Sequence, residues 1–270
     1  MKKYKIGFIG TGKMASAIIL GIQQSKFVNS NKIIASQRTE NTLEQKSKDL
    51  GIKLTTNNIE LVRNSEIIFI CAKPSQVEGI INEISPELDS SKLIVSIAAG
   101  ITLEKLESLL PENSKAIRVM PNTPATIKEG MSGICKGNNA TDNDLAYIES
   151  LFNTIGKTII VDNDSQMDVV TAISGSGPAF YYKIINDIAL AGEKLGLSYE
   201  QALLLSIQTA IGAGKMALNR TTSMEELIAN VATKGGCTRV GVDTMQELNI
   251  EASLFNTIKN TTQKAKELGA

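Results

Sequence analysis

The 270-residue chain contains no histidine. This absence excludes Ser-His-Asp catalysis, imidazole-ligated metal sites and every dehydrogenase mechanism in which an imidazole carries the proton. Chemistry near neutral pH must therefore proceed without a strong titrating base, unless burial or a neighbouring charge shifts the pKa of a lysine or a carboxylate.

Charge and cysteine content narrow the possible partners and compartments. The 28 basic side chains balance the 28 acidic ones, so no bulk field attracts nucleic acid or an acidic membrane, and we expect neither partner. The three cysteines, Cys71, Cys135 and Cys237, are odd in number and far apart, which predicts no disulfide framework and no metal site. A reducing cytoplasm fits this pattern. No apolar run is long enough to span a bilayer, and Lys13 interrupts what resembles a secretory signal.

The length suits two domains, and the sequence pattern changes near Val161–Asp162. Up to that point short apolar runs alternate with helical periodicity, which predicts an α/β domain over residues 1–161. Residues 162–270 contain no convincing strand and are dominated by helical periodicity. We therefore predict a second, all-helical domain.

The stretch 6–15, Ile-Gly-Phe-Ile-Gly-Thr-Gly-Lys-Met-Ala, predicts a strand, a tight turn and a helix. Gly10 allows the turn, Gly12 lets backbone N–H groups approach a pyrophosphate, and Ala15 allows close packing of the helix. Together with the positive end of the helix dipole, this favours a dinucleotide site over an ordinary glycine turn.

The second predicted strand, 32–36, ends near the position where a dinucleotide fold holds the adenosine ribose. Ser36 and Arg38 stand there, and no carboxylate follows until Glu40. A guanidinium can hold a 2′-phosphate through two parallel hydrogen bonds, so we predict NADPH, with NADH possible. The alternative is that Arg38 is a solvated loop charge.

Several later segments read as strands that end in small or turn residues. Continuous apolar runs begin at Glu66, Leu93 and Ala116, and the loops that follow them line the ligand crevice of an open α/β sheet. Asn58 is a plausible N-cap of the intervening helix. Residues 130–135 and 157–161 are predicted as the last, edge-type strands.

The helical half contains two glycine-rich interruptions. The run 174–178, Ser-Gly-Ser-Gly-Pro, predicts a break or tight bend between helices. The capping box Ser198-x-x-Gln201 begins a helix that runs to about Asn219 and is apolar around most of its circumference, which predicts burial against a second subunit. Thr233-Lys-Gly-Gly-Cys-Thr238 precedes another helix and would expose unpaired N–H groups to a carboxylate. The alternative is a plain turn between helices.

With these motifs identified, the sequence resembles the pyrroline-5-carboxylate reductase family along essentially its whole length. The resemblance implies a Rossmann-type dinucleotide-binding domain followed by an all-helical dimerisation domain, in a homodimer that can assemble further into a decamer of five dimers. The segments that carry it are 7–15, 72–74 (Ala-Lys-Pro), 96–100 (Ser-Ile-Ala-Ala-Gly), 118–124 (Arg-Val-Met-Pro-Asn-Thr-Pro), 174–179 and 231–238.

The resemblance also implies the site residues and the reaction, the reduction of pyrroline-5-carboxylate to proline. Thr238 would orient the ring nitrogen as the catalytic residue, while the N–H groups from Gly236 to Thr238 hold the carboxylate. The substrate set is Asn230, Thr233, Gly235, Gly236, Cys237 and Thr238. The cofactor set is Gly10, Thr11, Gly12, Lys13, Met14, Ser36, Gln37, Arg38, Asn58, Ala72, Lys73, Pro74, Ala98 and Ala99.

The chain departs from the family pattern where Thr233, Lys234 and Cys237 replace the usual serine, proline and threonine. Lys234 either attracts the carboxylate or points into water. Two other functions stay open at this point. One is a β-hydroxyacid or imine dehydrogenase, which would use a lysine such as Lys183, and the other is a non-catalytic dinucleotide sensor.

Overall fold

A computed structural model describes residues 2–269. It contains one eight-stranded sheet with the order β3-β2-β1-β4-β5-β6-β7-β8. Every neighbouring pair is parallel except β6 and β7, which run antiparallel. The strands are β1 (Tyr4–Ile9), β2 (Ile33–Ser36), β3 (Lys53–Thr55), β4 (Ser65–Ile70), β5 (Leu93–Ser96), β6 (Lys115–Met120), β7 (Gly130–Lys136) and β8 (Gly156–Ile160).

Twelve α-helices connect or follow these strands within the described residues. The first seven are α1 (Lys13–Gln24), α2 (Leu43–Leu50), α3 (Asn58–Asn64), α4 (Pro74–Ile84), α5 (Leu103–Leu109), α6 (Asp142–Phe152) and α7 (Asp164–Val170). The remaining five are α8 (Gly177–Lys194), α9 (Tyr199–Leu218), α10 (Met224–Val231), α11 (Cys237–Glu247) and α12 (Ile250–Gly269). None of the helices in residues 2–269 combines the length and apolarity needed to cross a membrane.

The strands form as predicted because their side chains are buried on both faces of the sheet. Along β4, Ile67 and Phe69 join one apolar cluster while Ile68 and Ile70 join another, as the two-residue period of a strand requires. The ring of Phe69 stacks on that of Phe8 with centroids 4.7 Å apart. This two-sided core fixes the β1–β4 register and the loops that follow both strands.

Two local predictions are wrong. The strand predicted at 130–135 as an edge is interior, because β7 pairs with β6 on one side and with β8 on the other. Asn58 is the first residue of α3, and the N-cap is Asn57, whose side chain accepts a hydrogen bond from the Glu60 N–H at 2.9 Å. Both asparagines suit a cap, and the local sequence does not distinguish them.

The chain forms two compact units, residues 1–176 with 261–270 and residues 177–260. The change of sequence pattern at 161/162 therefore does not coincide with the division in packing. Residues 162–176 lie in the first unit because Met167 of α7 is buried in its core. The predicted break at 174–178 is a single π-helical turn, Thr171–Gly175, followed by α8.

The second unit is helical, and its helices α8 and α9 pack on each other as an antiparallel pair. Much of its apolar surface is uncovered in the single chain, in agreement with the predicted need for a partner. Only Ala202 and Ser206 of α9 are buried. Exposed apolar side chains include those of Tyr181, Ile188, Leu204, Leu205, Ile211 and Met216.

Lys92, directly before β5, is the most deeply buried cation of the first unit, with 1% of its surface exposed. Its ammonium donates hydrogen bonds to the carbonyl oxygens of Val62 at 2.6 Å and Ser65 at 3.1 Å. Burial, aided by the charge of Lys2, lowers the pKa of Lys92 from 10.5 to about 8.

This shift predicts a pH dependence of stability. Below pH 8 the folded and unfolded states both carry the charge, and the folded state bears the full cost of burying it. Between about pH 8 and 10.5 the unfolded state holds more protons, so the free energy of unfolding rises with pH. We expect Lys92→Met to remove up to about 3 kcal/mol of that rise. Urea unfolding at pH 7 and 10 measures it, with Lys157→Met as the exposed control, and equal pH dependences in wild type and Lys92→Met would contradict the expectation.

Candidate functional site

The turn after β1 requires glycine at its first position. Gly10 has a φ of +102°, and a Cβ there would lie 2.6 Å from the carbonyl oxygen of Cys71. The Gly10 N–H donates to the carbonyl oxygen of Ser36 at 3.0 Å. The turn is thereby held against the ends of both neighbouring strands.

The second and third small residues of the motif serve different purposes. Gly12 is the N-cap of α1, and a Cβ there would meet no protein atom within 4 Å, so the space beside it is open to a ligand. Ala15 is 1% exposed and packs in the core beneath the helix. The structure therefore separates a ligand-facing position from a packing position, as the motif predicts.

A lysine that sequence reasoning missed supports this turn from α2. The Lys46 ammonium donates to the carbonyl oxygen of Thr11 at 2.9 Å and to its hydroxyl at 3.1 Å. The Thr11 hydroxyl donates in turn to Gln37 Oε1 at 3.3 Å. No local signal reveals this contact, because Lys46 lies 35 residues after Thr11.

The ends of β1, β2 and β4 enclose a cavity of about 610 Å³. Its lining brings together Gly10, Ser36, Gln37, Arg38, Asn58, Ala72 and Lys73 of the predicted cofactor residues. Burial raises the pKa of the Cys71 thiol in its wall, so that thiol stays neutral. Arg38 is exposed at the rim, where it can meet an anion.

Three other predicted cofactor residues line a second cavity, whereas Pro74 and Met14 line neither of the two. Thr11, Gly12 and Lys13 line a neighbouring cavity of about 610 Å³ along α1, together with Lys46 and Lys128, and none of the described carboxylates lines it. Pro74 begins α4, where the missing N–H of proline costs nothing. Met14 is half-buried and packs against the core.

The loop after β5 lies outside both cavities. Ala98 is buried, and its N–H donates to Ser96 Oγ at 3.3 Å, while Ala99 is exposed. Gly100 has a φ of +77°, and a Cβ there would lie 3.0 Å from the carbonyl oxygen of Leu268. The end of α12 therefore closes over this loop.

The Thr233–Thr238 loop lies in the second unit and forms a tight turn followed by a helix. The Gly236 N–H donates to the Thr233 carbonyl oxygen at 3.0 Å, and Gly235 has a φ of +79°, as a type II turn requires. Gly236 is the N-cap of α11. The structure thus brings together Thr233, Gly235, Gly236, Cys237 and Thr238, with Asn230 exposed on the preceding α10.

The amides of this loop are not all available to a ligand. The Gly236 N–H, which the resemblance assigns to the substrate carboxylate, closes the turn in this structure by donating to the Thr233 carbonyl oxygen. The N–H groups of Cys237 and Thr238 have no acceptor within residues 2–269. Two free donors at the positive end of α11 remain for an anion.

Asn122 joins two motifs that sequence reasoning treated separately. Its side-chain NH₂ donates to the carbonyl oxygen of Ser174 at 3.1 Å, and its Oδ1 accepts from the Met131 N–H at 2.9 Å. The Ser174 hydroxyl donates to the Met131 carbonyl oxygen at 3.2 Å. The π-helical turn is therefore fixed to β7 through the residue that follows Pro121.

Arg118 is a second residue whose contacts sequence reasoning missed, although a charged residue inside an apolar strand is a usable signal. It is 2% exposed and forms an ion pair with Asp164, and its guanidinium lies 3.8 Å from Asp168. Asp164 also accepts hydrogen bonds from the N–H of Leu103 at 2.8 and 2.9 Å. The cluster ties α7 to β6 and to the start of α5.

Other candidate chemistry finds no support in the geometry. Lys183, the lysine that a hydroxyacid dehydrogenase would use, is exposed and donates to Asp187 at 2.6 Å one turn later on α8. The described residues contain no group of three or more cysteine, aspartate or glutamate side chains arranged to hold a metal ion.

Models of two known families match this chain. Residues 164–268 match the pyrroline-5-carboxylate reductase dimerisation family, and residues 5–100 match the NADP oxidoreductase, coenzyme F420-dependent family. The fold class predicted from the sequence is therefore confirmed for both halves.

Relatives and solved structures match over the full length. A pyrroline-5-carboxylate reductase from Methanosarcina acetivorans is 38% identical over 269 residues, which cover 100% of this chain and 99% of that protein. A Plasmodium falciparum pyrroline carboxylate reductase with NADP bound is 31% identical, with a TM-score of 0.86 and complete coverage of both chains. The Coxiella burnetii pyrroline-5-carboxylate reductase is 29% identical, with a TM-score of 0.94 and 99% coverage of each chain.

Proposed function

Because the chain belongs to the pyrroline-5-carboxylate reductase family, we propose that it reduces 1-pyrroline-5-carboxylate to L-proline with hydride from NADPH, the last step of proline biosynthesis. The observation that carries the proposal is the likeness to these reductases along the whole chain. A site for each reactant supports it, one in the first unit and one in the second.

The residues of the first unit fit a dinucleotide. The turn that Gly10 imposes leaves open space beside Gly12 at the positive end of α1, where a pyrophosphate is stabilised. Arg38, two residues after the end of β2, lines the adjoining cavity and would bind a 2′-phosphate. We assign to the cofactor Thr11, Lys13, Met14, Ser36, Gln37, Asn58, Ala72, Lys73, Pro74, Ala98 and Ala99 as well.

The residues of the second unit fit a small carboxylic acid. The free N–H groups of Cys237 and Thr238 would bind the carboxylate, and the Thr238 hydroxyl would orient the ring nitrogen. We assign Asn230, Thr233, Gly235 and Gly236 to the surroundings of the bound substrate as well.

The proposed mechanism requires positioning more than proton transfer. When bound, the nicotinamide supplies the hydride. A protonated cyclic imine already carries the positive charge that makes its carbon electrophilic, so the protein need only hold that carbon in place. This accounts for a reductase that contains no histidine.

The exposed apolar surface of the second unit supports association of identical chains. Residues 164–268 match a dimerisation family, and α8 and α9 expose large apolar side chains on one chain. We infer a homodimer, with a decamer of five dimers as its further assembly, acting in the cytoplasm on a small-molecule substrate without nucleic-acid or membrane partners.

The direct test is oxidation of NADPH in the presence of pyrroline-5-carboxylate, with proline identified as the product. The same assay with the six-membered imine and with a β-hydroxyacid separates this function from related dehydrogenases. Cofactor binding without turnover of any of these substrates would contradict the proposal and favour a dinucleotide sensor.

Thr238→Ala is expected to lower kcat by about 10²-fold or less, because it removes one orienting hydrogen bond and no proton donor. Steady-state kinetics with pyrroline-5-carboxylate measure the effect, and Thr244→Ala, further along α11, is the control. Complete loss of turnover with normal substrate binding would show that Thr238 transfers a proton.

A further inference from the structure

The dinucleotide cavity contains one carboxylate that its sequence position does not reveal. Glu83, near the end of α4, lines the same cavity as Ser36, Arg38 and Asn58. It lies 45 residues after Arg38, so the sequence around β2 suggests a purely basic subsite. Arg38, Lys73 and Glu83 are the charged side chains that line the described cavity.

Glu83 fixes the direction of two hydrogen bonds. An ionised carboxylate only accepts, so the group of Asn58 that faces Glu83 Oε2 at 2.9 Å must be its NH₂. The Asn58 Oδ1 then faces Ser36, whose hydroxyl donates to it at 2.6 Å. The single proton of the Ser36 hydroxyl is therefore engaged and is not available to a phosphate oxygen.

The same chain of contacts places a negative charge beside the end of β2. Ser36 and Glu83 are separated by the amide group of Asn58, and Ser36 is 1% exposed while Glu83 is exposed. In dinucleotide folds a carboxylate at the end of the second strand accepts a hydrogen bond from the ribose 2′-hydroxyl and opposes a 2′-phosphate. Here the end of β2 carries no carboxylate, and the one that lines the cavity comes from α4, across the Asn58 amide.

We propose that Glu83 is a specificity-determining residue of the cofactor site, which weakens binding of the 2′-phosphate and lets the site accept NADH beside NADPH. This inference rests on the proposed function for its kinetic readout. Arg38 and Glu83 act in opposite directions, because the guanidinium favours the phosphate and the carboxylate favours the free hydroxyl.

The test compares wild type with Glu83→Gln and with Glu78→Gln, which removes an exposed carboxylate of α4 that does not line the cavity. Removal of a like charge near the phosphate in a partly exposed site changes affinity by about 5- to 10-fold. We expect Glu83→Gln to raise the ratio of kcat/KM for NADPH to that for NADH by this factor. Glu78→Gln should leave the ratio unchanged, and high salt should reduce the Glu83→Gln effect.

Calorimetric dissociation constants for NADP⁺ and NAD⁺ provide a readout that needs no turnover. If wild type fails to reduce pyrroline-5-carboxylate, the proposed function fails while these constants still test Glu83. Tighter NADP⁺ binding in Glu83→Gln alone supports the inference. The inference is overturned if the preference of Glu83→Gln for the phosphorylated cofactor over the unphosphorylated one stays within twofold of wild type or falls. It is also overturned if that preference rises equally in Glu78→Gln.

Discussion

Arg118→Ala is expected to lower the free energy of unfolding by about 3–5 kcal/mol, because removing one partner of a buried ion pair leaves an uncompensated charge in the interior. Arg118 is 2% exposed and faces both Asp164 and Asp168. Burial raises the pKa of Asp168 even with the guanidinium present. Without Arg118 two carboxylates would share that space.

Urea unfolding at neutral pH measures this loss. Arg63→Ala is the matched control, because Arg63 forms a two-point contact with Glu87, with its closer N–O distance at 2.6 Å, on the exposed surface. Exposed pairs contribute about 1 kcal/mol or less. Equal losses for the two variants would mean that burial of the Arg118 cluster carries no energetic consequence.

Gly10→Ala is expected to lower kcat/KM for NADPH by at least about 10²-fold, because displacement of a binding turn by about 1 Å has effects of this size. The variant combines a positive φ with a Cβ 2.6 Å from the Cys71 carbonyl oxygen, so the turn must move away from β4. We also expect a loss of about 1–3 kcal/mol in stability from the strained backbone.

Gly12→Ala separates the effect on cofactor binding from the effect on stability. A Cβ at Gly12 meets no protein atom within 4 Å, and its φ of −70° suits alanine, so stability should fall by no more than about 1 kcal/mol, the cost of alanine at an N-cap. Thermal unfolding and NADPH titration of both variants test this. A Gly10→Ala protein with the wild-type melting temperature and KM would show that the turn tolerates a side chain.

The strands and the cofactor turn could be predicted because their signals are local. A continuous apolar run such as 67–70 indicates a strand buried on both faces, and glycine at 10 and 12 indicates a tight turn before a helix. Sequence reasoning also identified the glycine pair at 235 and 236 as a turn before a helix, and the structure places it at the start of α11.

The missed features depend on contacts between residues far apart in the chain. Lys46 supports Thr11 across 35 residues, Glu83 contacts Asn58 across 25, and Asp164 contacts Arg118 across 46. Periodicity and spacing describe one element at a time and do not identify such partners. The interior position of β7 was missed for the same reason, since pairing order is a property of the whole sheet.

The contact between Gly100 and Leu268 has a consequence for how the polypeptide matures during synthesis. The dinucleotide-binding unit is assembled from residues 1–176 and from the last turns of α12, which are translated after the whole of the second unit. A nascent chain released from the ribosome only up to residue 176 lacks the segment that covers the loop after β5. Full closure of the nucleotide fold therefore waits until the last turns of α12 have been translated, and a gene fragment encoding only residues 1–176 would yield a unit with that loop uncovered.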